Sequence, residues 1–201
     1  MMPISCVLLA GGKSSRLGRD KQKELVGGVR IADRELSVLS RLSDDIVVVG
    51  DTEFRQEELG IKGSTRFVPD IYPGYGSLGG LFSGLSHCRH DWALVVAGDM
   101  PFINYGLIGD LRANISNDFD AVVPKFENRM QTTHSLYRKT CLPHIGESLR
   151  GKTLRMNSYF PRINLKIVNL DRASSHIVNS FFNINTEEDL KEARYLALVN
   201  K

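Results

Sequence analysis

Short apolar runs, each followed within two residues by glycine or proline, recur along the first two thirds of the chain. Continuous apolar runs of this length are typical of strands that are buried on both faces of a sheet. They predict strands at Ile4–Leu9, Ile46–Val49, Arg66–Val68, Trp92–Val96 and Ala121–Val123. A further stretch, residues 164–170, alternates apolar and polar positions as a half-buried strand does.

Apolar residues at helical spacing lie between several of these runs. They predict helices over residues 32–43, 78–88 and about 104–116. Thr186 to Asp189, ahead of Leu190, predict the capped start of a C-terminal helix. Residues 125–165 are less regular and rich in basic side chains. Strands alternating with helices predict an α/β fold of three layers, a mostly parallel sheet with helices on both faces.

Functional side chains follow four of the predicted strands. A glycine-rich loop follows the first strand, and Asp51, Asp70 and Asp99 follow the next three. Because ligands in such folds bind at the carboxyl ends of the strands, we expect these segments to meet in one site.

The glycine-rich loop has the composition of a phosphate-binding segment. It contains Gly11, Gly12, Ser14, Arg16, Gly18, Asp20 and Lys21. Glycines let backbone N–H groups approach a polyphosphate closely, and Arg16 and Lys21 can supply the positive charge that a triphosphate demands. The spacing matches neither the Walker A loop nor the G-x-G-x-x-G dinucleotide fingerprint. The loop therefore predicts a nucleoside-triphosphate site of another kind.

Composition narrows the class of protein. A length of 201 residues predicts a single domain. A net charge of +3 is too small to indicate nucleic acid or a membrane surface as a partner. Cys6, Cys88 and Cys141 show no metal-binding or disulfide spacing. With no signal-peptide pattern and no apolar run long enough to span a membrane, we expect a cytoplasmic protein.

Two interpretations stay open for each of three polar residues. Asp99 is a good Mg²⁺ ligand at a strand end, or the cap of the next helix. Lys21 is a phosphate contact or a solvated surface lysine. Asp70 belongs to the nucleotide site or caps a turn before Pro73. The glycine-rich loop beside Asp99 favours the metal site.

Four segments together resemble the signature of the MobA-like nucleotidyltransferases. Residues 9–21 match the pattern L-A-G-G-x-S-x-R-x-G-x-D-K. Residues 70–81 are similar to the family's D-x-x-P-G-x-G-P-L-G-G-L loop, residues 98–101 to its G-D-M-P metal motif, and residues 182–190 to its F-x-N-I-N-T-P-E-D-L segment. The four occur in the family's order and span nearly the whole chain.

The resemblance implies the Rossmann-like nucleotide-diphospho-sugar transferase fold, with a nucleotide- and metal-binding half over residues 1–124 and an acceptor half over 125–201. It implies transfer of GMP from GTP to the terminal phosphate of molybdenum-bound molybdopterin. The residues implied to bind GTP are Leu9, Ala10, Gly11, Gly12, Lys21, Asp70 and Asp99. Those implied to act in catalysis are Lys21, Asp99 and Arg16, with Asp99 as the ligand of Mg²⁺. Those implied to lie near the acceptor are Asn183, Asn185 and His134, although a lone histidine is more often structural.

The resemblance also implies the partners. GTP and molybdopterin are the small-molecule substrates, Mg²⁺ is the cofactor, and transient contacts with cofactor-biosynthesis proteins or apo-molybdoenzymes are compatible with it. The basic residues of 125–162 are a candidate dock for the anionic pterin phosphate, or an ordinary solvated surface.

The chain departs from the family pattern at Gly50-Asp51, where relatives often carry asparagine or a similar polar side chain for the nucleotide. Asp51 or the backbone could replace that contact. The alternative function is a cytidylyl- or sugar-phosphate nucleotidyltransferase on the same fold, although the Leu-Ala-Gly-Gly sequence of residues 9–12 favours guanine. A non-catalytic nucleotide sensor, or a chaperone for a molybdoenzyme, is expected to lose Asp99 or Lys21, and this chain retains both.

Overall fold

A central β-sheet carries the site-forming loops. The computed structural model describes residues 2–11, 17–170 and 175–199. Within these residues the strands are, in chain order, β1 (Ile4–Leu9), β2 (Leu25–Val26), β3 (Val29–Arg30), β4 (Ile46–Gly50), β5 (Arg66–Pro69), β6 (Trp92–Ala97), β7 (Ala121–Phe126), β8 (Arg129–Met130), β9 (His134–Arg138) and β10 (Leu165–Leu170). The short β2 and β3 pair with each other, and the other eight described strands form one sheet.

The sheet is mostly parallel, as the sequence predicts. Its order is β10-β7-β9-β6-β1-β4-β5, with β8 paired to β7. β1 lies between β4 and β6, and both pairings are parallel. β9 lies between β6 and β7 and is antiparallel to both. The sheet therefore joins strands from the first 124 residues to strands from the rest of the chain.

Helices cover both faces of the sheet, which confirms the predicted layers. In chain order they are α1 (Ile31–Leu42), α2 (Phe54–Leu59), α3 (Gly76–His87), α4 (Tyr105–Arg112), α5 (Leu142–Arg150), α6 (Ser175–Ser180) and α7 (Glu187–Val199). Leu8 of β1 packs in a core cluster with residues of α1 and α4. Its neighbours Val7 and Leu9 pack in a second cluster with residues of α3 and α5. Over the described residues, no helix combines the length and apolar character that a membrane crossing requires.

The start of α7 follows the predicted capping pattern. Thr186 Oγ1 accepts a hydrogen bond from Asp189 N at 3.2 Å, and Asp189 Oδ2 accepts one from Thr186 N at 2.8 Å. Asp189 Oδ2 also accepts from Asn185 N at 2.8 Å. These bonds satisfy backbone donors that a helix start leaves unpaired, so they fix the turn just before α7.

Several elements were not expected from the sequence, and one helix is shorter than expected. The unexpected elements include α2, α5, α6 and the short strands β2, β3 and β8. The helix predicted over about 104–116 begins after Asn104, whose Oδ1 caps Leu107 N at 3.1 Å, and ends at Arg112. The residues after Arg112 continue as turns instead.

A close approach between α3 and β1 makes Gly84 a sensitive position. A Cβ at Gly84 would overlap Val7 Cγ1 and lie 3.2 Å from Val49 Cγ2. We expect Gly84→Ala to lower the free energy of unfolding by about 1–3 kcal/mol, because overpacking outweighs the gain in helix propensity. Urea denaturation measures the change.

The matched control is Gly109→Ala in α4, where a Cβ meets nothing within 4 Å. Freed from any clash, this substitution should stabilise the protein by about 0.5–1 kcal/mol. Equal effects of the two substitutions would contradict the packing described for α3.

Candidate active site

A cavity of about 470 Å³ lies at the carboxyl ends of β1, β4 and β6. Its lining consists of Leu9, Ala10, Gly11, Asp20, Lys21, Gln22, Val49, Gly50, Asp51, Arg55, Asp70, Gly74, Gly76, Ser77, Gly80, Ala97, Gly98 and Asp99. Among the described residues, every position expected to bind the nucleotide lines this cavity. Gly12 and Arg16, which were also expected there, lie outside the described residues.

Backbone hydrogen bonds continue from the strands into the cavity floor. Ala10 N donates to Val49 O at 2.7 Å, and Gly98 N donates to Leu9 O at 3.0 Å. On the far side of β4, Asp70 N donates to Gly50 O at 2.8 Å. The residues that follow these strands are therefore held at fixed positions by the sheet itself.

Lys21 and Asp99 form the central charged pair of the cavity. Lys21 Nζ donates to Asp99 Oδ2 at 2.6 Å, and the two side chains are 20% and 17% exposed. Asp20 positions the lysine, because its Oδ1 accepts from Gln22 N at 3.1 Å and caps the 3₁₀ turn Lys21–Lys23. The contact joins the last residue of the glycine-rich loop to the segment that follows β6.

The loop before α7 completes this side of the site. Ile184 N donates to Asp99 O at 2.9 Å, while Ile184 O and Asn185 Oδ1 accept from Lys21 Nζ at 3.2 and 3.3 Å. Asn183 Nδ2 instead donates to Phe181 O at 3.0 Å. The two asparagines were expected to face one side of a strand-like segment. The structure has no strand there within the described residues, and only Asn185 reaches Lys21.

One oxygen of Asp99 suits a cation. Its Oδ1 is buried and has no hydrogen-bond partner in the described part of the chain. Searched over the same residues, the structure contains no cluster of three or more His, Cys, Asp and Glu side chains that could enclose a metal ion. Mg²⁺ is commonly bound by one or two carboxylates, with phosphate oxygens and water supplying the other ligands. Asp99 therefore fits a Mg²⁺ ion that arrives with a triphosphate.

Asp70 both caps a turn and lines the cavity. Its Oδ1 accepts from Tyr72 N at 3.0 Å and from Ser83 Oγ at 2.6 Å. The turn interpretation is thus correct in geometry, and the cavity interpretation is compatible with it because the same side chain borders the open volume.

Glu35 is a buried acid that sequence reasoning missed. It lies fully buried on α1, and its Oε1 accepts from Met100 N at 3.0 Å, directly after Asp99. Burial raises the pKa of this carboxyl well above its usual range, and the nearby charge of Asp99 adds to the rise. The signal in the sequence is an acid within the apolar stripe of Ile31, Ala32 and Leu39.

Gly50 has no room for a side chain. A Cβ there would lie 2.6 Å from Phe67 Cε2 and 2.9 Å from Arg55 Cγ. An asparagine side chain at Gly50 would not fit without rearrangement. Asp51 next to it is exposed and borders the cavity.

The structure does not bring His134 to the cavity. Its ring is fully buried in β9, with Nε2 3.3 Å from Ser180 Oγ and an edge-on contact to Phe181. Burial lowers its pKa to about 4, so the ring is neutral at physiological pH. The expected acceptor contact lacks support because the strand turns this side chain into the core.

The basic residues of 125–162 also lie outside the cavity lining. Arg138 pairs with Asp91 at 2.7 Å, near the start of β6 and so at the opposite end from Asp99. Arg162 Nη2 donates to Ser148 Oγ at 2.6 Å and to His144 O at 3.1 Å. These two arginines serve local structure rather than the cavity.

Comparisons with known proteins identify the family and the fold of this chain. The family described as the MobA-like NTP transferase domain matches residues 6–159. A protein of Pelotomaculum thermopropionicum named "Probable molybdenum cofactor guanylyltransferase" is 33% identical over 199 residues, covering 98% of this chain and 95% of its own. The crystal structure of molybdopterin-guanine dinucleotide biosynthesis protein A from Archaeoglobus fulgidus is similar with a TM-score of 0.83 and 24% identity, over 98% of this chain and 100% of its own.

The fold is shared more widely. The structure of 4-diphosphocytidyl-2C-methyl-D-erythritolsynthase from Anaerococcus prevotii is similar with a TM-score of 0.70 and 17% identity, covering 100% of this chain and 99% of its own. The fold therefore does not by itself distinguish between nucleotides.

The buried ring of His134 predicts a loss of stability at mild acid. Its pKa falls from 6.5 to about 4 on folding, so below pH 6.5 the unfolded chain binds the proton more strongly than the folded chain. Stability from this group is thus intact above pH 6.5 and falls as the pH drops towards 4. Between pH 7 and pH 5 the loss should be about 2 kcal/mol.

Urea denaturation of the wild type and His134→Gln at both pH values measures this loss. The variant has no group that titrates at this position, so its stability should fall less over the interval by about that amount. Parallel curves for the two proteins would show that His134 is not protected as described.

Proposed function

The chain belongs to the MobA-like NTP transferase family, and from this membership we propose that it transfers GMP from GTP to the terminal phosphate of molybdenum-bound molybdopterin, releasing pyrophosphate. The family makes it a nucleotidyltransferase. The names of its relatives support the guanylyl reaction and the pterin acceptor.

The observation that carries the proposal is the Lys21–Asp99 pair within the cavity. A nucleotidyltransferase must hold a triphosphate and a cation together, and this pair presents a positive ammonium beside a carboxylate with one unpaired oxygen. The pair lies among the ends of three parallel strands, where nucleotides bind in folds of this kind.

Small residues in the lining also expose the main chain to a bound nucleotide. After β1 the chain runs through Ala10 and Gly11, and the first turn of α3 adds Gly76 and Gly80. Small residues at these points let the main chain approach the ligand closely. We infer that Leu9 to Gly12 contact the base and phosphates, and that Asp70 contacts the nucleoside portion.

The reaction needs positioning more than proton transfer. The terminal phosphate of the acceptor is already ionised, so it attacks the α-phosphorus of GTP in line with the leaving pyrophosphate without a protein base. Lys21, with Arg16, would neutralise the charge that develops on the phosphate oxygens. Asp99 would hold the Mg²⁺, which when bound supplies further charge neutralisation and orients the phosphates. Asn185 keeps the Lys21 ammonium in place from the other side.

A cytidylyl- or sugar-phosphate nucleotidyltransferase is the second candidate, favoured by the fold likeness to the Anaerococcus prevotii enzyme. The two candidates differ in the base that they select. Thermal shift with GTP, CTP, UTP and ATP, each with Mg²⁺, therefore separates them. We expect the largest stabilisation with GTP, because at a fixed concentration the ligand that binds most tightly stabilises the protein most.

Product identification then tests the reaction itself. Incubation with GTP, Mg²⁺ and molybdopterin should yield the guanine dinucleotide and pyrophosphate. A protein that is stabilised by CTP alone, or that forms no dinucleotide from GTP, would contradict the proposed function.

Asp99→Asn tests the role of the carboxylate. It keeps the shape of the side chain but removes its charge, so turnover should fall by about 10²-fold or more with folding intact. Pyrophosphate release measures the rate, and circular dichroism checks the fold. The control is Asp91→Asn, because Asp91 precedes the same strand at its opposite end and pairs only on the surface. Full activity of Asp99→Asn would refute the metal assignment.

A further inference from the structure

Arg55 has every donor of its side chain occupied. An arginine side chain carries five N–H donors in a planar fork. Nε donates to Ala10 O at 3.1 Å, Nη1 donates to Asp20 Oδ2 and to Glu58 Oε2, and Nη2 donates to Asp20 Oδ1 at 3.0 Å and to Gln22 Oε1 at 2.6 Å. The side chain is 10% exposed. It lines the cavity, yet it keeps no donor for a ligand.

These contacts join the two described ends of the glycine-rich loop. Ala10 lies just before the loop, at the end of β1, whereas Asp20 and Gln22 lie at the other end of the loop, on either side of Lys21. Arg55 comes from a third segment, α2. One guanidinium therefore sets the distance between the strand and the turn that carries the lysine.

Two glycines beside Arg55 and Gln22 leave space for these side chains, and a Cβ at either glycine would collide with them. Gly50 lies under the stem of Arg55, and a Cβ there would approach Arg55 Cγ to 2.9 Å. Gln22, held by its oxygen, points its amide nitrogen at Gly98, where a Cβ would overlap it. The stem of Arg55 thus lies against the last residue of β4, and Gln22, which the guanidinium holds, lies against the residue that follows β6.

The charge of Arg55 is balanced by its two acidic partners, Asp20 and Glu58. Burial opposes the charge on Asp20, but the hydrogen bonds and the charge of Arg55 outweigh it and lower the pKa of that carboxyl below its usual range. With Glu58 as a second acid, the positive charge of Arg55 is matched locally. The cluster therefore adds rigidity rather than an attraction for anions.

We propose that Arg55 is the positioning residue of the nucleotide site, which fixes the end of β1 relative to the turn that carries Lys21, so that Ala10, Gly11 and Lys21 meet the triphosphate together. The inference rests on the proposed function for its kinetic consequence only. The fork is essential, because lysine offers three donors from one atom and cannot bridge Ala10, Asp20 and Gln22 at once.

The test compares Arg55→Lys with Arg30→Lys. Arg30 makes a similar fork to Asp33, at 2.7 and 2.9 Å, with a further bond to Leu59 O, but it lies outside the cavity lining. Hydrogen exchange without any nucleotide reports how firmly the two loop ends are held. Arg55→Lys should speed exchange in segments 8–11 and 17–24, and Arg30→Lys should leave both segments unchanged.

Kinetics supply the second readout. A displaced loop should raise the KM for GTP and lower kcat/KM by about 10²-fold in Arg55→Lys, since small misplacements of catalytic groups are costly. The KM for the acceptor should not change. If Arg55 had a merely structural role, the variant would contain less folded enzyme. The apparent kcat would then fall, while the KM for GTP would keep its wild-type value.

Asp20→Asn keeps the test decisive if Arg55→Lys folds poorly. It weakens the same bridge from the other partner, so it should also speed exchange in segments 8–11 and 17–24. Where both fold, adding Arg55→Lys to Asp20→Asn should cost much less than Arg55→Lys alone.

Unchanged exchange in both single variants, or fully additive effects, would overturn the positioning role. If the wild type does not use GTP, the proposed function fails, while the exchange data still decide the role of Arg55.

Discussion

The site depends on backbone hydrogen bonds that continue past the last residues of three parallel strands. Leu9 O and Val49 O accept from Gly98 N and Ala10 N, so the segments after β1 and β6 cannot move independently. Side chains that lie far apart in sequence then meet without long connecting loops. The cavity is open because the strands of the sheet end there. Its floor is rigid because backbone hydrogen bonds continue between the segments that follow the strands.

This backbone frame explains how a lysine and an aspartate can be held ready for a ligand. Lys21 neutralises one oxygen of Asp99 and leaves the other without a described partner. Behind them, Glu35 holds Met100 N from within the core, where burial favours its uncharged form. The carboxylate of Asp99 therefore lines the cavity with one oxygen paired to Lys21 and the other still able to accept a ligand.

The sequence predicted the parts of the molecule whose signal is local. Strands such as Ile4–Leu9 and Trp92–Ala97 are buried on both faces, so each is a continuous apolar run in the sequence. Because such strands were expected to be parallel, Asp99 was expected to lie near the glycine-rich loop at the same edge of the sheet. β9 has no such run, because His134, Ser135 and Arg138 interrupt it. Arg55 and Glu35 could not be assigned either, since their partners lie 35 and 65 positions away. His134 is the reverse case: its residue type suggested a contact with the acceptor, but the side chain is fully buried in the core.

The central place of β1 also governs the order in which the chain can assemble. Leu9 pairs with both Val49 and Ala97, so β1, which precedes both partner strands in the chain, has its full set of neighbours only when β6 is in place. Closing such long loops is entropically costly and slows folding. The apolar side chains of β1 therefore stay incompletely covered until β6 has been synthesised, and during that interval they are exposed to aggregation.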